Sequence, residues 1–167
     1  MVDAPCGDFN WMQVVMPELE ISYNGFDIVP GVIDENIANH SSDRVSFAVA
    51  NICEDELPDC DLLMVRDCLF HLSFEDIDQF FKNIERVNYR YLLTTTHAVS
   101  AGHVNSDIPS GSFRLIDLFA HPFNISEENL VDRIDDYPEG QDKTREMILI
   151  EKQHVPTALQ RPFTLAQ

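Results

Sequence analysis

The chain has 167 residues, 44% of them hydrophobic, and a formal net charge of −18 at pH 7. That length forms one domain, residues 1–167, with enough apolar material for a core that needs no staples. The acidic surface repels phosphate, which excludes nucleic acid and anionic membranes as expected partners while tolerating a cationic ligand. No apolar run approaches the roughly 18 residues of a membrane span, and no basic-then-apolar leader opens the chain. Cys6, Cys53, Cys60 and Cys68 contain no C-x-x-C pair and read as reduced thiols, so a cytoplasmic location is expected.

Strands and helices are predicted to alternate through the first hundred residues. Residues 11–16 form a short apolar helix closed by Pro17, and residues 21–28 a strand. Pro30 opens a helix over residues 31–40, as suits a first helical turn. Residues 45–50 are a third strand. Residues 61–65 are a fourth, an almost unbroken apolar run of the kind a doubly covered parallel strand shows. Phe74, Ile77, Phe80, Phe81, Ile84 and Val87 then repeat at helical spacing, with Ser73 and Asp76 placed as a near capping box. Residues 91–96 are a fifth strand, rich in residues that suit a sheet.

Beyond His97 the pattern changes. Residues 98–112 read as a long loop within a substrate-side region spanning 98–128. Residues 113–118 form a short strand or helical turn that Pro122 ends. Residues 130–134 and 145–152 are two strands around the turn-rich Tyr137-Pro138-Glu139-Gly140, an antiparallel pair at the C-terminus. Together these predict an α/β fold: a doubly wound, mostly parallel, Rossmann-like sheet.

Chemistry enters at the opening segment, Val2-Asp3-Ala4-Pro5-Cys6-Gly7-Asp8-Phe9-Asn10-Trp11-Met12. Asp27 follows Gly7 by 20 residues and ends the second strand. A strand, a tight Gly turn, a helix and a second strand ending in an acid is how such sheets hold a nucleoside cofactor. The Gly admits the ligand to the backbone, and the acid accepts from ribose hydroxyls.

With those residues in place, the chain resembles the class I S-adenosylmethionine-dependent methyltransferases. More narrowly, it is similar to a methyltransferase-like family through five ordered blocks that span nearly the whole chain. They are residues 3–12, Gly25-Phe26-Asp27-Ile28-Val29-Pro30, Arg66-Asp67-Cys68-Leu69-Phe70-His71-Leu72-Ser73, residues 91–97, and residues 107–114 with Pro122-Phe123 beyond. The resemblance implies S-adenosylmethionine as cofactor and methyl transfer to a small-molecule or sugar-like acceptor. It places Gly7 and its neighbours at the methionine part, Asp27 at the ribose, and Ile28, Asn51 and Ile52 around the adenine, with Asp3 also among the cofactor-binding residues and Arg66 at the end of the fourth strand. Asp67 and His97 are the implied catalytic candidates, and His71, Asp107 and Arg114 would face the acceptor. Trp11 or Phe9 would contact a sulfonium through its ring.

Two departures stand out. Pro5 and Phe9 occupy places where the broad class has glycines. Only Met1 and Val2 precede Asp3, so a truncated first strand is expected, with neighbours left unpaired. That shortfall supports a competing reading, a non-catalytic binding or interaction module that has lost productive cofactor binding. A homodimer covering the exposed sheet is the expected oligomer. A nicotinamide oxidoreductase would want G-x-G-x-x-G where this chain offers Gly7 alone. His97, His103 and His121 fit no common zinc spacing, so no metal is expected.

Overall fold

The computed structural model describes residues 1–136 and 145–161. In chain order they form β1 (Val2–Asp3), α1 (Met12–Val15), β2 (Tyr23–Asp27), α2 (Pro30–His40), β3 (Val45–Val49), β4 (Cys60–Val65), α3 (Phe74–Glu85), β5 (Tyr89–His97), β6 (Leu130–Asp135) and β7 (Arg145–Glu151). The strands make one sheet in the order β3-β2-β1-β4-β5-β7-β6. β1 to β5 run parallel, β7 is antiparallel to β5, and β6 is antiparallel to β7. Strand order reverses between β1 and β4, so the crevice beyond their carboxyl ends is where a sheet of this kind takes its ligand.

β1 is two residues long, yet it pairs on both sides, Val2 with Asn24 and Leu63, Asp3 with Gly25 and Met64. The pairing continues past its ends. Asn24 N donates to Met1 O, Ala4 N to Met64 O and Cys6 N to Phe26 O, at 2.8–3.0 Å. The first strand is therefore short, as expected, but the residues beside it that pair with it are satisfied.

Side chains alternate between the faces along β4, with period two. Leu63 and Val65 enter a core with Ile77, Phe80, Phe81 and Ile84 of α3, while Met64 enters a second core with Phe9, Met12, Tyr23, Ile33 and Phe47. Helices thus cover both faces. α3 forms as its spacing requires, and the Ser73 hydroxyl accepts from Asp76 N at 3.1 Å as its N-cap. Gly25 is demanded by packing: a Cβ there would lie 2.7 Å from Cδ1 of Phe47.

Some boundaries differ from expectation. α1 ends at Val15, and Met16–Glu18 makes a 3-10 turn in which Pro17 takes a first-turn place, where its missing N–H costs nothing. β5 begins at Tyr89 and runs to His97. Residues 98–112 are loop, as predicted, but residues 113–118 are neither strand nor helix. Their backbone is satisfied mainly by the end of β5: His97 N donates to Ile116 O, and Leu118 N to the Thr96 hydroxyl. The predicted hairpin strands are present as β6 and β7. The turn assigned to Tyr137-Pro138-Glu139-Gly140 lies outside the described residues.

Candidate functional site

β1, β2 and β4 end side by side, and a cleft of about 230 Å³ opens over their carboxyl ends. It is lined by Asp3, Pro5, Cys6, Gly7, Asp8, Trp11, Asp27, Arg66 and Asp67. Three elements far apart in sequence therefore converge there, at the reversal in strand order.

Gly7 turns the chain with φ 55°, a left-handed conformation that glycine adopts without strain, and a Cβ there would meet nothing within 4 Å. Its N–H donates to Asp27 Oδ2 at 3.1 Å, and its carbonyl accepts from Asn36 Nδ2 at 2.7 Å. Asp27 is buried, and its Oδ1 accepts from Val29 N at 3.0 Å. Each of its oxygens has taken one N–H, and a carboxylate has lone pairs for more.

Asp3 forms the floor. It is 1% exposed; Oδ2 accepts from the Tyr23 hydroxyl at 2.6 Å, and Oδ1 has no hydrogen-bond partner. Burial pushes its pKa up to about 7, and the repulsion of Asp27 adds to this, while the Tyr23 bond and the charge of Arg66 work against it. Burial also pushes the Cys6 thiol up to about 12, so it is protonated and no nucleophile.

Arg66 and Asp67 form the far wall. Arg66 uses Nε and Nη2 on the Asp136 carboxylate at 3.0–3.2 Å, and its guanidinium lies 5.1 Å from the centre of the Trp11 ring. Asp67, at φ 54°, accepts from Arg145 Nη1 at 2.8 Å, and Arg145 Nε reaches Asp136 at 3.1 Å. This Arg–Asp lattice ties the end of β4 to the β6–β7 pair. An arginine at a strand end serves as a carboxylate clamp or as half of an ion pair, and the present partner of Arg66 is Asp136.

The adenine-side residues separate. Ile28 is 62% exposed just past Asp27, beside the half-exposed Val49 that pairs with Asp27. Ile52 is 7% exposed, and its side chain packs into the core that α3 covers. Asn51 Oδ1 accepts from Cys53 N at 3.0 Å in an Asx-type turn and keeps a second lone pair.

Phe70, His71, His97 and Phe113 form one ring cluster with centroids 4.4–6.3 Å apart. The two histidines are held oppositely. His97 is buried and its Nδ1 accepts from Ile116 N at 3.2 Å, so the neutral ring carries its proton on Nε2. His71 Nδ1 lies 2.8 Å from Ser112 O, and a carbonyl only accepts, so Nδ1 carries the proton and Nε2 keeps the lone pair. Asp107 Oδ1 accepts from Phe74 N at 2.7 Å and Ile108 N at 2.9 Å, closing the start of α3. Arg114 is buried over the Phe74 ring and donates Nη1 to Leu72 O at 2.7 Å; burial lowers its pKa to about 10. Both bind the protein's own backbone here.

Sequence reasoning missed Tyr23, Asn36, Asp136 and Arg145. Asn36 had a signal, since it lies three residues after Ile33 on the inward face of α2. Among the described residues no three His, Cys, Asp or Glu side chains gather as a metal site would require, and no helix is long and apolar enough to cross a membrane.

No family model matches the chain, and no curated protein does. Solved structures do. The chain is similar to human N-acetylserotonin methyltransferase in complex with S-adenosylmethionine, at 16% identity and a TM-score of 0.66, over 91% of this chain and 47% of that one. It is similar to a methyltransferase from Methanosarcina mazei, at 14% identity and a TM-score of 0.61, over 90% of this chain and 91% of that one. The cyclase SpnF matches at 16% identity and a TM-score of 0.66, over 90% of this chain and 73% of that one. The chain thus spans about half the length of the human protein. These likenesses establish the fold, a class I methyltransferase-like α/β sheet.

Proposed function

We propose that the cleft binds S-adenosylmethionine and that the chain transfers its methyl group to a small-molecule or sugar-like acceptor. The observation that carries this is the unpartnered, buried Oδ1 of Asp3, a residue that lines a cleft with Gly7 and Asp27. A buried carboxylate oxygen without a donor calls for one from a ligand, and an α-ammonium supplies it. Asp27, with lone pairs remaining on both oxygens, suits two ribose hydroxyls. Arg66 bonds Asp136 through Nε and Nη2, which leaves Nη1 for a ligand carboxylate. The cleft is smaller than the roughly 300–1,000 Å³ of drug-sized pockets, so it suits the amino-acid and sugar parts. The base would extend over the exposed Ile28 and Val49.

When bound, the cofactor supplies an electrophilic methyl group on a sulfonium. The protein's share is to hold donor and acceptor in line and to exclude water. Trp11 offers a ring face to a cation. An acceptor hydroxyl or amine must lose a proton, and His71, with its lone pair on Nε2, is better prepared to take it than His97. Asp67, held by Arg145, would orient the acceptor.

Calorimetric titration with S-adenosylhomocysteine, beside Asp27→Ala, tests this. Binding that the variant weakens by about 1–3 kcal/mol, the range for losing a buried polar partner, supports the reading. A folded chain that binds nothing rejects it in favour of a scaffold without cofactor.

A further inference from the structure

We infer that Asp3 couples ligand binding to proton release: it carries a proton until a ligand ammonium reaches Oδ1, and then gives that proton to solvent. This rests on the cofactor reading above and adds its regulation. The geometry is that of a carboxyl group 1% exposed, with one oxygen held by Tyr23 and the other without a partner, at the floor of a ligand-sized cleft. Such a group is costly as an anion until a cation compensates it.

The groups around it set the balance. Tyr23 on β2 and Arg66 beyond β4 favour the anion; Asp27 at the end of β2 disfavours it. Asp8 and Asp67 add two more acids to the lining, and Cys6 is a neutral thiol. The resulting pKa of about 7 puts the change within the physiological range. The step balances: the neutral carboxyl of Asp3 and the ligand's ammonium become a carboxylate–ammonium ion pair, the ammonium keeps all its protons, and the one carboxyl proton goes to buffer.

The test is titration of the full chain with S-adenosylhomocysteine between pH 6 and pH 8, in two buffers of different ionisation heat. The ionised fraction of a group titrating near pH 7 changes about tenfold over that interval. Affinity is therefore expected to be about tenfold weaker at pH 6 than at pH 8, with close to one proton released per ligand at pH 6. Asp3→Asn removes both effects. Tyr23→Phe deletes a bond that favours the anion and moves the midpoint to higher pH, which serves if Asp3→Asn does not fold. 5′-Methylthioadenosine, which lacks the ammonium, is expected to bind without pH dependence.

Equal affinity for S-adenosylhomocysteine at pH 6 and pH 8 with no proton exchange overturns the inference and leaves the cofactor reading intact. The same pH dependence with 5′-methylthioadenosine also overturns it. Absence of binding at every pH overturns both.

Discussion

Asp3 and Asp78 are the same residue type, 1% and 3% exposed, and the protein treats them oppositely. Asp78, on α3, accepts from Lys82 Nζ at 2.7 Å and from Leu159 N at 2.8 Å, with Arg161 Nη2 at 3.5 Å. Burial alone pushes its pKa up, but the bonds from Lys82 and Leu159 and the charges of Lys82 and Arg161 outweigh it, so the pKa falls below its ordinary value. Asp3 has one hydroxyl donor and an oxygen with none. A satisfied buried acid fastens one part of the chain to another, here the C-terminal segment onto α3. An unsatisfied one at a cleft is a place for a ligand.

The largest effect that would break this contrast is expected at Asp78. Asp78→Ala leaves the Leu159 N–H buried without an acceptor and frees the segment that carries Val155 and Leu159 into the core. The expected loss is about 2–3 kcal/mol, or roughly 4–12 °C in Tm, read by thermal and urea unfolding. Because its pKa is lowered on folding, Asp78 contributes stability at neutral pH that is lost as pH falls through its folded pKa. A variant as stable as the parent at pH 7 would show that the fastening does not exist in solution.

Asp3 carries the opposite sign. Its pKa rises on folding from 3.8 to about 7, so its contribution to stability is complete below about pH 4 and is lost as pH rises through 7. Asp3→Asn cannot titrate, so the decline in stability that Asp3 carries between pH 4 and pH 7 is expected to disappear, read by urea unfolding at each pH. An unchanged slope would mean that Asp3 is already ionised and compensated.

Local signals made much of this legible. The 3.6-residue period and Ser73 cap predict α3, and the Gly7–Asp27 spacing predicts a strand, a Gly turn, a helix and a second strand ending in an acid; the hydrogen bond between Gly7 and Asp27 is added by the structure. What escaped depends on which way side chains point across neighbouring strands and loops. Tyr23 meets Asp3 only because β1 and β2 pair in one register. Arg145 and Asp136 reach Asp67 and Arg66 only because β7 returns antiparallel beside β5. Asp107 belongs to a block of the resemblance, and the pairing of its carboxylate with the N–H at the start of α3 depends on how the loop folds back over that helix. Ile52 follows a strand as an adenine contact would, but its apolar side chain turns into the α3 core.

The smallest effect concerns protons that move without changing stability. In the ring cluster, His71 and His97 are separated by Phe70, whose ring is 4.4 Å from one and 5.1 Å from the other. Their backbone partners demand different tautomers: Ser112 O takes a proton from His71 Nδ1, and Ile116 N gives one to His97 Nδ1. Long-range proton–nitrogen correlation spectra at pH 8 are expected to show a protonated Nδ1 for His71 and a protonated Nε2 for His97. Only the first arrangement leaves a lone pair on the nitrogen pointing away from the backbone, as the base of the proposed function requires. If both rings prove protonated on Nε2, the His71–Ser112 bond is absent in solution and His71 loses its advantage as the base. On the proposed function, the acceptor would then have to arrive already deprotonated.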